Sequence, residues 1–374
     1  MTFIFFVNII AMLFSFFILG ALFGALFSPV FRKKLKLLRS HFNPIIKPGL
    51  HPWSAESVMN PAALALGGRT HLIYRAIGMD GASRLGYASS ADGVVFDEQL
   101  PYPIFIVQKQ SSIPESLRRY SPVMYPSGGS WGGCEDPRTV AINGKVYVTF
   151  NMFENWILRV GYISIEEEDF LAKRFYKWDG PYKLSHGARD KNWVLFPEKI
   201  NGQFAVLHSI IGERTDRVRI EYIDDLKELA LRKFESPDPQ QVPDQRVAWH
   251  NHVRSAGPPP VKTDKGWLVF YHAHTEKDSY KYKLGAMLLD VNDPEQILCR
   301  AVAPVLEPDA HYENAGKPGI IYACGAVVRN GQLYVYYGGA DKVVCVATAP
   351  LKKFLNALVE GNQTHLATHS VLTT

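Results

Sequence analysis

The sequence predicts an all-β protein, a five-bladed β-propeller, preceded by one N-terminal transmembrane helix. Five similar hairpins recur along the chain, each is followed by one more strand-like run, and an uncharged apolar segment opens the sequence. Short apolar runs separated by Gly, Asn and Asp are typical of strands and turns, and a repeated unit of this kind is typical of a closed array of sheets. A β-sandwich is the alternative, but it does not explain the repeated order within each unit.

The first residues predict a membrane anchor. Phe3 to Phe31 carries no charged side chain and exceeds the ~20 apolar residues that span a bilayer. Basic residues without an acid follow within 32–39, which predicts a cytoplasmic C-terminal domain and a single-pass membrane protein. A cleaved signal peptide or an interfacial helix is the alternative, although no basic residue precedes the apolar run. The predicted organisation is an anchor (1–31), a basic juxtamembrane segment and linker (32–56), a catalytic propeller (57–360) and a tail (361–374).

The five hairpins are predicted from their turn residues. Asn-Gly favours the type I′ hairpin turn, because both central residues of that turn have positive φ. The second glycines of the five turns lie 58 to 76 residues apart along the chain. The turns are predicted at Gly67-Gly68, Asn143-Gly144, Asn201-Gly202, Lys265-Gly266 and Asn330-Gly331. The further strands are predicted at 84–89, 158–164, 218–223, 283–289 and 343–348.

Charge and cysteine content exclude several classes of protein. The net charge of +5 is concentrated near the N-terminus, so no basic face predicts binding to nucleic acid. None of the four cysteines forms a CxxC pair, which argues against zinc-ribbon and thioredoxin-like sites. Cys134 adjoins two carboxylates but is interpreted as a buried bystander. The sequence predicts no metal and no cofactor.

The stretch Trp131 to Arg138 predicts a ligand site. It combines two glycines, two carboxylates and an arginine at the start of a strand, and a carboxyl beside a guanidinium commonly holds a sugar or a phosphate. The alternative is a tight turn with a local ion pair. In a propeller the loops that lead into the first strands share one face, so polar residues there would converge. These residues are Asn60, Glu135, Asp136, Arg138, Lys191, Asn192, Glu198, Arg254, His272 and Asp341.

This set of residues predicts carbohydrate chemistry. Aromatic rings stack on sugar faces, and the candidates are Trp131, Trp193, Tyr271 and Tyr337. Glycosyl transfer needs a proton donor for the leaving oxygen and then a nucleophile, which is activated water or an anion. An excess of cations favours phosphate as that anion. The candidate cations are Arg75, Arg138, Lys191, Arg254 and His272.

Four strings carry a family resemblance. They are Gly133-Cys-Glu-Asp-Pro-Arg138, Lys191-Asn-Trp-Val-Leu-Phe-Pro-Glu198, Gly257-Pro-Pro-Pro260 with Gly266-Trp-Leu-Val-Phe-Tyr-His272, and Tyr337-Gly-Gly-Ala-Asp341. Together they resemble glycoside hydrolase family 130, whose members are five-bladed propellers that act on β-mannosides, mostly as inverting phosphorylases. The resemblance runs from about residue 57 to residue 355. It implies a β-mannoside or other oligosaccharide as substrate and inorganic phosphate as co-substrate.

The resemblance also implies roles for individual residues. Asp136 would be the general acid, acting in the phosphorylases through a substrate hydroxyl. Phosphate would be bound by Lys191, Arg189, Arg254 and His272. Substrate would be bound by Asn60, Arg75, Glu135, Arg138, Trp193, Glu198 and Asp341.

The expected reaction is reversible, inverting phosphorolysis of β-mannosides to α-mannose 1-phosphate. Hydrolysis stays open, because Glu198 or Glu313 could activate water. A β-mannosyltransferase on the same fold and a non-catalytic glycan-binding propeller are the remaining alternatives. The glycosidic linkage, the acceptor sugar and the oligomeric state are not predicted.

Overall fold

A computed structural model describes residues 35–49, 51–107, 113–154, 157–186, 190–210, 216–232 and 249–361. The predicted anchor (1–31), Arg189 and all but the first residue of the predicted tail lie outside these ranges. Within them, no helix is both long and apolar enough to cross a membrane. The predicted fold class is corrected accordingly: the described chain is all-β and contributes no membrane-spanning helix. The single-pass membrane localisation inferred from that helix is withdrawn.

The described chain contains twenty strands and three α-helices. The strands of its first half are β1 (Leu38–Arg39), β2 (Ser57–Leu66), β3 (Arg69–Ile77), β4 (Ala82–Ser90), β5 (Glu98–Gln99), β6 (Gly132–Ile142), β7 (Lys145–Glu154), β8 (Ile157–Glu166) and β9 (Asp179–Lys183). Those of its second half are β10 (Val194–Leu195), β11 (Phe204–Ser209), β12 (Arg219–Ile223), β13 (His252–Ala256), β14 (Val261–Thr263), β15 (Gly266–His274), β16 (Lys283–Leu289), β17 (Ile297–Arg300), β18 (Ile321–Arg329), β19 (Gln332–Gly339) and β20 (Val343–Pro350). The helices are α1 (Glu167–Leu171), α2 (Leu226–Leu229) and α3 (Leu351–Glu360).

Five antiparallel meanders of three strands carry the predicted hairpins and their further strands. They are β2-β3-β4, β6-β7-β8, β10-β11-β12, β13-β15-β16 and β18-β19-β20. The Asn-Gly turns have the expected positive φ, with 50° at Asn143 and 80° at Gly144. The fourth turn is shifted by one residue from its predicted position. Thr263 pairs with Gly266, so the turn residues are Asp264 and Lys265.

The meanders do not form the five separate blades that were predicted. The described strands make four sheets, because the first two meanders share one eight-stranded sheet and no sheet closes on itself. β4 and β6 run parallel there, with Ser83 opposite Gly133. Gly133 makes this approach possible: its φ is +110°, and a Cβ at this position would lie 2.1 Å from the carbonyl oxygen of Ser83. The predicted propeller is corrected to an all-β fold of four sheets.

The segment before β2, predicted as a linker, packs on the last meander. β1 pairs antiparallel with β20, and Leu37 is buried in an apolar core formed by strands β15 to β20. Arg39 donates from Nε to Glu313 Oε1 at 2.7 Å, and the Tyr337 hydroxyl donates to the same oxygen at 2.8 Å. A fully buried carboxylate needs such partners, so this pairing ties the segment to the fold.

Four of the five meanders carry a β-bulge in their first strand. The strand register shifts between Met59 and Ala62 in β2 and between Glu135 and Arg138 in β6. It shifts again between Val253 and Ser255 in β13, and between Ala323 and Gly325 in β18. A bulge releases residues from the ladder and redirects their side chains. The released residues are Asn60 with Pro61, Asp136 with Pro137, Arg254, and Cys324.

Candidate active site

A cavity of about 310 Å³ lies where the bulged first strands and their preceding loops meet. It is lined by Asn60, Arg75, Pro126, Ser127, Gly128, Glu135, Asp136, Asn151, Leu158, Lys191, Asn192, Arg254, Ser255, Tyr282, Lys317, Ile320, Tyr322 and Asp341. Three of these residues, Asn60, Asp136 and Arg254, are released by the bulges. Irregular strand positions therefore supply the polar lining, as is common next to active sites.

Backbone conformation distinguishes the polar residues of the cavity. Asn60, Asp136, Asn192 and Asp341 have φ between 49° and 61°. Positive φ is uncommon outside glycine, although Asn and Asp adopt it most readily, and such residues cluster at functional sites. At Asn60 and Asp136 the following proline cannot donate to a ladder, which explains why the strand bulges there.

Glu135 is buried and fully paired. Arg75 Nη2 donates to its Oε1 at 2.7 Å, and the Ser127 hydroxyl donates to its Oε2 at 2.7 Å. Burial raises the pKa of Glu135 to about 7; Arg75 opposes this rise and the charge of Asp136 adds to it. Glu135 therefore holds its proton up to about neutral pH.

Asp136 faces the cavity from the same bulge. Its Oδ1 accepts from Asn60 Nδ2 at 2.7 Å and from Arg75 Nη1 at 3.4 Å. Within the described ranges no hydrogen bond reaches its Oδ2, so this oxygen is left for a ligand. Gly338 permits the position of Asn60, because a Cβ on Gly338 would lie 2.2 Å from Asn60 Oδ1.

Asp341 adds a third carboxylate near the first two. Lys317 Nζ lies 3.7 Å from its Oδ2, and the Ser57 hydroxyl donates to its carbonyl oxygen at 2.5 Å. Burial raises the pKa of Asp341, and Lys317 and Arg75 oppose that rise. All three carboxylates of the cavity interact with the charge of Arg75, so they form one acidic side around it.

Lys191 and Arg254 supply the cationic side of the cavity. Lys191 is exposed to solvent, yet desolvation by the surrounding protein lowers the pKa of its ammonium, and the charge of Arg254 lowers it further. The guanidinium carbon of Arg254 lies 5.2 Å from the ring centre of Tyr282, a cation–π contact that holds it at the mouth. Two neighbouring cations that repel each other form a ready site for a divalent anion.

Four predicted site residues do not line the cavity. Arg138 is buried and joins three segments, donating to the Asp136 carbonyl at 2.7 Å and to Asn192 Oδ1 at 3.0 Å, and to the carbonyl of Gly257 at 3.3 Å. Trp193 packs in an apolar core cluster. Glu198 forms an exposed ion pair with Lys262 at 2.5 Å.

His272 is the fourth, and it is fully buried beneath the cavity. Its ring stacks on Tyr322 with centres 4.0 Å apart. Burial and the charges of Arg138 and Arg254 lower its pKa well below the usual value, so His272 is neutral. A neutral, buried imidazole is a poor direct ligand for phosphate.

Several residues that line the cavity were not predicted from the sequence. Asn151 Nδ2 donates to Asn192 Oδ1 at 2.8 Å, and the backbone N–H of Asn192 donates to Asn151 Oδ1 at 2.8 Å, which fixes the backbone after Lys191. The aromatic residues of the cavity are Tyr282 and Tyr322, whereas the predicted platforms Tyr271 and Tyr337 are fully buried. The local sequence around a tyrosine next to an apolar run does not indicate whether its ring lines a cavity or is buried in the core.

The cavity contains no group that marks a metal centre. Among the described residues, no cluster of three or more His, Cys, Asp or Glu side chains could hold a metal ion. Burial raises the pKa of the Cys134 thiol to about 12, so this cysteine is inert as a nucleophile. The cavity can hold a polar ligand among carboxylates, one of which carries a proton up to about neutral pH, and two cations.

Comparison with known proteins identifies the family. The sequence model of glycoside hydrolase family 130, described as beta-1,4-mannooligosaccharide phosphorylase, matches residues 39–360. Two relatives come from Thermoanaerobacter sp. (strain X514). A 1,2-beta-oligomannan phosphorylase is 34% identical, covering 85% of this chain and 98% of the relative. A beta-1,2-mannobiose phosphorylase is 30% identical with the same coverage.

A solved structure agrees at the level of the fold. The beta-1,2-mannobiose phosphorylase from Listeria innocua, in complex with beta-1,2-mannobiose, superposes with a TM-score of 0.63 at 22% identity. The match covers 86% of this chain and 99% of that one. The family match confirms the resemblance carried by the four sequence strings. The chain belongs to glycoside hydrolase family 130.

Proposed function

We propose that this chain catalyses reversible, inverting phosphorolysis of β-mannosides, with inorganic phosphate as co-substrate and α-mannose 1-phosphate as product. The observation that carries the proposal is one cavity lined by Asp136, by Glu135, whose pKa is raised to about 7, and by the cations Lys191 and Arg254. Family membership and the phosphorylase names of two relatives support the same reaction.

In the proposed reaction Asp136 provides the proton for the leaving oxygen. Its Oδ1 is held by Asn60 and Arg75, which leaves Oδ2 to face the substrate. A phosphate oxygen attacks the anomeric carbon from the opposite face as the glycosidic C–O bond breaks. The proton passes to the departing sugar oxygen, directly or through a substrate hydroxyl. The anomeric configuration inverts, and the products are α-mannose 1-phosphate and the shortened mannoside.

The positions of the other acids favour phosphorolysis over hydrolysis. A hydrolase of this kind needs a second carboxylate to activate water. Glu198 is exposed and paired with Lys262, and Glu313 is buried and paired with Arg39. Neither lines the cavity, and the three carboxylates that do are gathered around Arg75. The same cavity carries Lys191 and Arg254, which suit an anion that needs no base.

The relatives favour a β-1,2 linkage. The two that share 30% or more identity across 85% of the chain are named for β-1,2-linked substrates. The family description names a β-1,4 linkage, which makes β-1,4-mannobiose the matched alternative.

Incubation of the protein with β-1,2-mannobiose, with and without inorganic phosphate, tests the proposal. Cleavage is expected only with phosphate, with one α-mannose 1-phosphate formed for each mannose released. Equal mannose release in both conditions would mean hydrolysis. Binding without turnover in either direction would mean a glycan-binding protein, and preferential cleavage of β-1,4-mannobiose would overturn only the linkage.

A further inference from the structure

The bulge in β13 brings two hydroxyls and one imidazole into a chain of contacts. Ser255 Oγ lies 3.3 Å from His272 Nδ1 and 3.0 Å from the Tyr322 hydroxyl oxygen. Ser255 and Tyr322 line the cavity, whereas His272 lies behind them. The three residues come from three strands, so tertiary packing alone assembles them.

The backbone fixes the tautomer of His272. The N–H of Ala323 donates to His272 Nε2 at 2.9 Å, so Nε2 carries a lone pair and the proton of the neutral ring is on Nδ1. The lowered pKa of this buried imidazole agrees with the neutral form. Nδ1–H therefore donates to Ser255 Oγ.

The direction of this donation leaves one hydroxyl proton unused. Ser255 and Tyr322 have two O–H protons between them, and the contact that joins the two oxygens uses one. Within the described ranges no other acceptor takes the second proton. One O–H of the pair is therefore available to a group inside the cavity, and His272 cannot accept it.

Two cations lie close to the pair, and on Tyr322 the charge of Arg138 acts more strongly than that of Asp136. Arg254 directly precedes Ser255, and the guanidinium carbon of Arg138 lies 5.8 Å from the ring centre of Tyr322. Phosphate oxygens only accept hydrogen bonds when ionised, so a free O–H beside these cations complements them. A sugar hydroxyl could also accept this hydrogen bond, but it would not need the nearby cations. The position of the pair beside these cations therefore favours phosphate as the acceptor.

We propose that the Ser255–Tyr322 hydroxyl pair, oriented by His272, donates a hydrogen bond to phosphate and forms part of its binding site. His272 is then a positioning residue that acts through Ser255. The inference rests on the proposed phosphorolysis. It adds neutral hydrogen-bond donors to the cations Lys191 and Arg254 that are proposed to bind phosphate.

Phosphate binding and kinetics in Tyr322→Phe test this inference. The phenylalanine retains the ring that stacks on His272 and loses the hydroxyl. We expect KM for phosphate to rise about tenfold, at the low end of what a hydrogen bond to a charged group contributes, with KM for β-1,2-mannobiose within twofold of wild type. Tyr176→Phe, at a side chain that is 82% exposed, is the matched control and should change neither constant.

Ser255 variants separate orientation from packing. Ser255→Ala should raise the phosphate KM to a similar extent, Ser255→Thr should restore it, and the double variant with Tyr322→Phe should be no worse than about the larger single effect. Equal changes in the constants for both substrates would mean a structural role only and would overturn the inference.

Calorimetric titration of inorganic phosphate into wild type and Tyr322→Phe tests the hydroxyl pair separately from the proposed phosphorolysis. Weaker phosphate binding by the variant supports the hydroxyl pair even if mannobiose is not the substrate. Unchanged phosphate affinity overturns the pair, while phosphate-independent cleavage by wild type overturns the proposed function instead.

Discussion

Replacing Arg75 with methionine removes the cation around which the acidic side of the cavity is built. The guanidinium is buried and contacts Glu135 at 2.7 Å, Asp136 at 3.4 Å and the Ser83 hydroxyl at 2.9 Å. Methionine preserves much of the apolar stem and deletes every one of these donors. Removing one partner of a buried ion pair costs roughly 3–5 kcal/mol, because the other charge is left uncompensated. We expect a loss of that size in the free energy of unfolding.

The loss should depend on pH in a defined direction. The folded-state pKa of Glu135 is raised to about 7, so below that pH the carboxyl is protonated and needs no cation. Above it the group ionises, and without Arg75 only the weaker interaction with Lys191 compensates its charge. The deficit of Arg75→Met should therefore be larger at about pH 8 than at about pH 5.

Chemical denaturation of wild type, Arg75→Met and a control at both pH values measures these effects. Arg69→Met is the matched control, since Arg69 lies on the same strand and forms an exposed pair with Asp97, which is worth about 1 kcal/mol or less. If Arg75→Met and Arg69→Met lost the same stability, or if the deficit of Arg75→Met shrank as pH rose, the acidic side would not depend on this cation.

Three further results are expected. Asp136→Asn should lower kcat about 10²–10⁴-fold without loss of folding, as measured by initial rates and circular dichroism, because the proton donor is gone; near-normal turnover would move the acid elsewhere. In wild type kcat/KM should be flat below about pH 7 and fall above it, as the proton held by Glu135 is lost; a profile flat to about pH 9 would refute a role for this proton. Glu198→Gln should retain kcat within about twofold and cost at most about 1 kcal/mol, since it removes only an exposed pair with Lys262; a large loss of turnover would restore Glu198 as a catalytic base.

The hairpins were predictable because their signal is local. Asn143-Gly144, Asn201-Gly202 and Asn330-Gly331 adopt positive φ at both positions through their own chemistry. Lys265-Gly266 was misplaced by one residue, because lysine gains nothing from the left-handed region and the turn uses Asp264 and Lys265 instead. Joining of the first two meanders through Gly133 depends on the distant Ser83, which no local pattern indicates.

The acidic side of the cavity was more predictable than the cationic side. Asn60 and Asp136 precede prolines within runs that otherwise indicate strands, and this combination points to bulges. Lys191 and Arg254 were also identified, whereas His272 and Trp193 looked like ligands and are covered by other side chains. Residue type indicates the chemistry that a side chain can perform, but burial decides whether a ligand can reach it.

The bulges make the positions of the site residues depend on the register of the strands. Asn60, Asp136 and Arg254 each leave a first strand where the pairing slips, and each returns to register within a few residues. Arg75 and Asn151 reach the cavity from regular strand positions, whereas the bulges turn these three side chains towards it. Because the strands on either side of each bulge are paired and buried, the released residues are held by the whole sheet rather than by a mobile loop. The proposed acid Asp136, its amide partner Asn60 and the proposed phosphate ligand Arg254 therefore share one means of support, although they come from three different meanders.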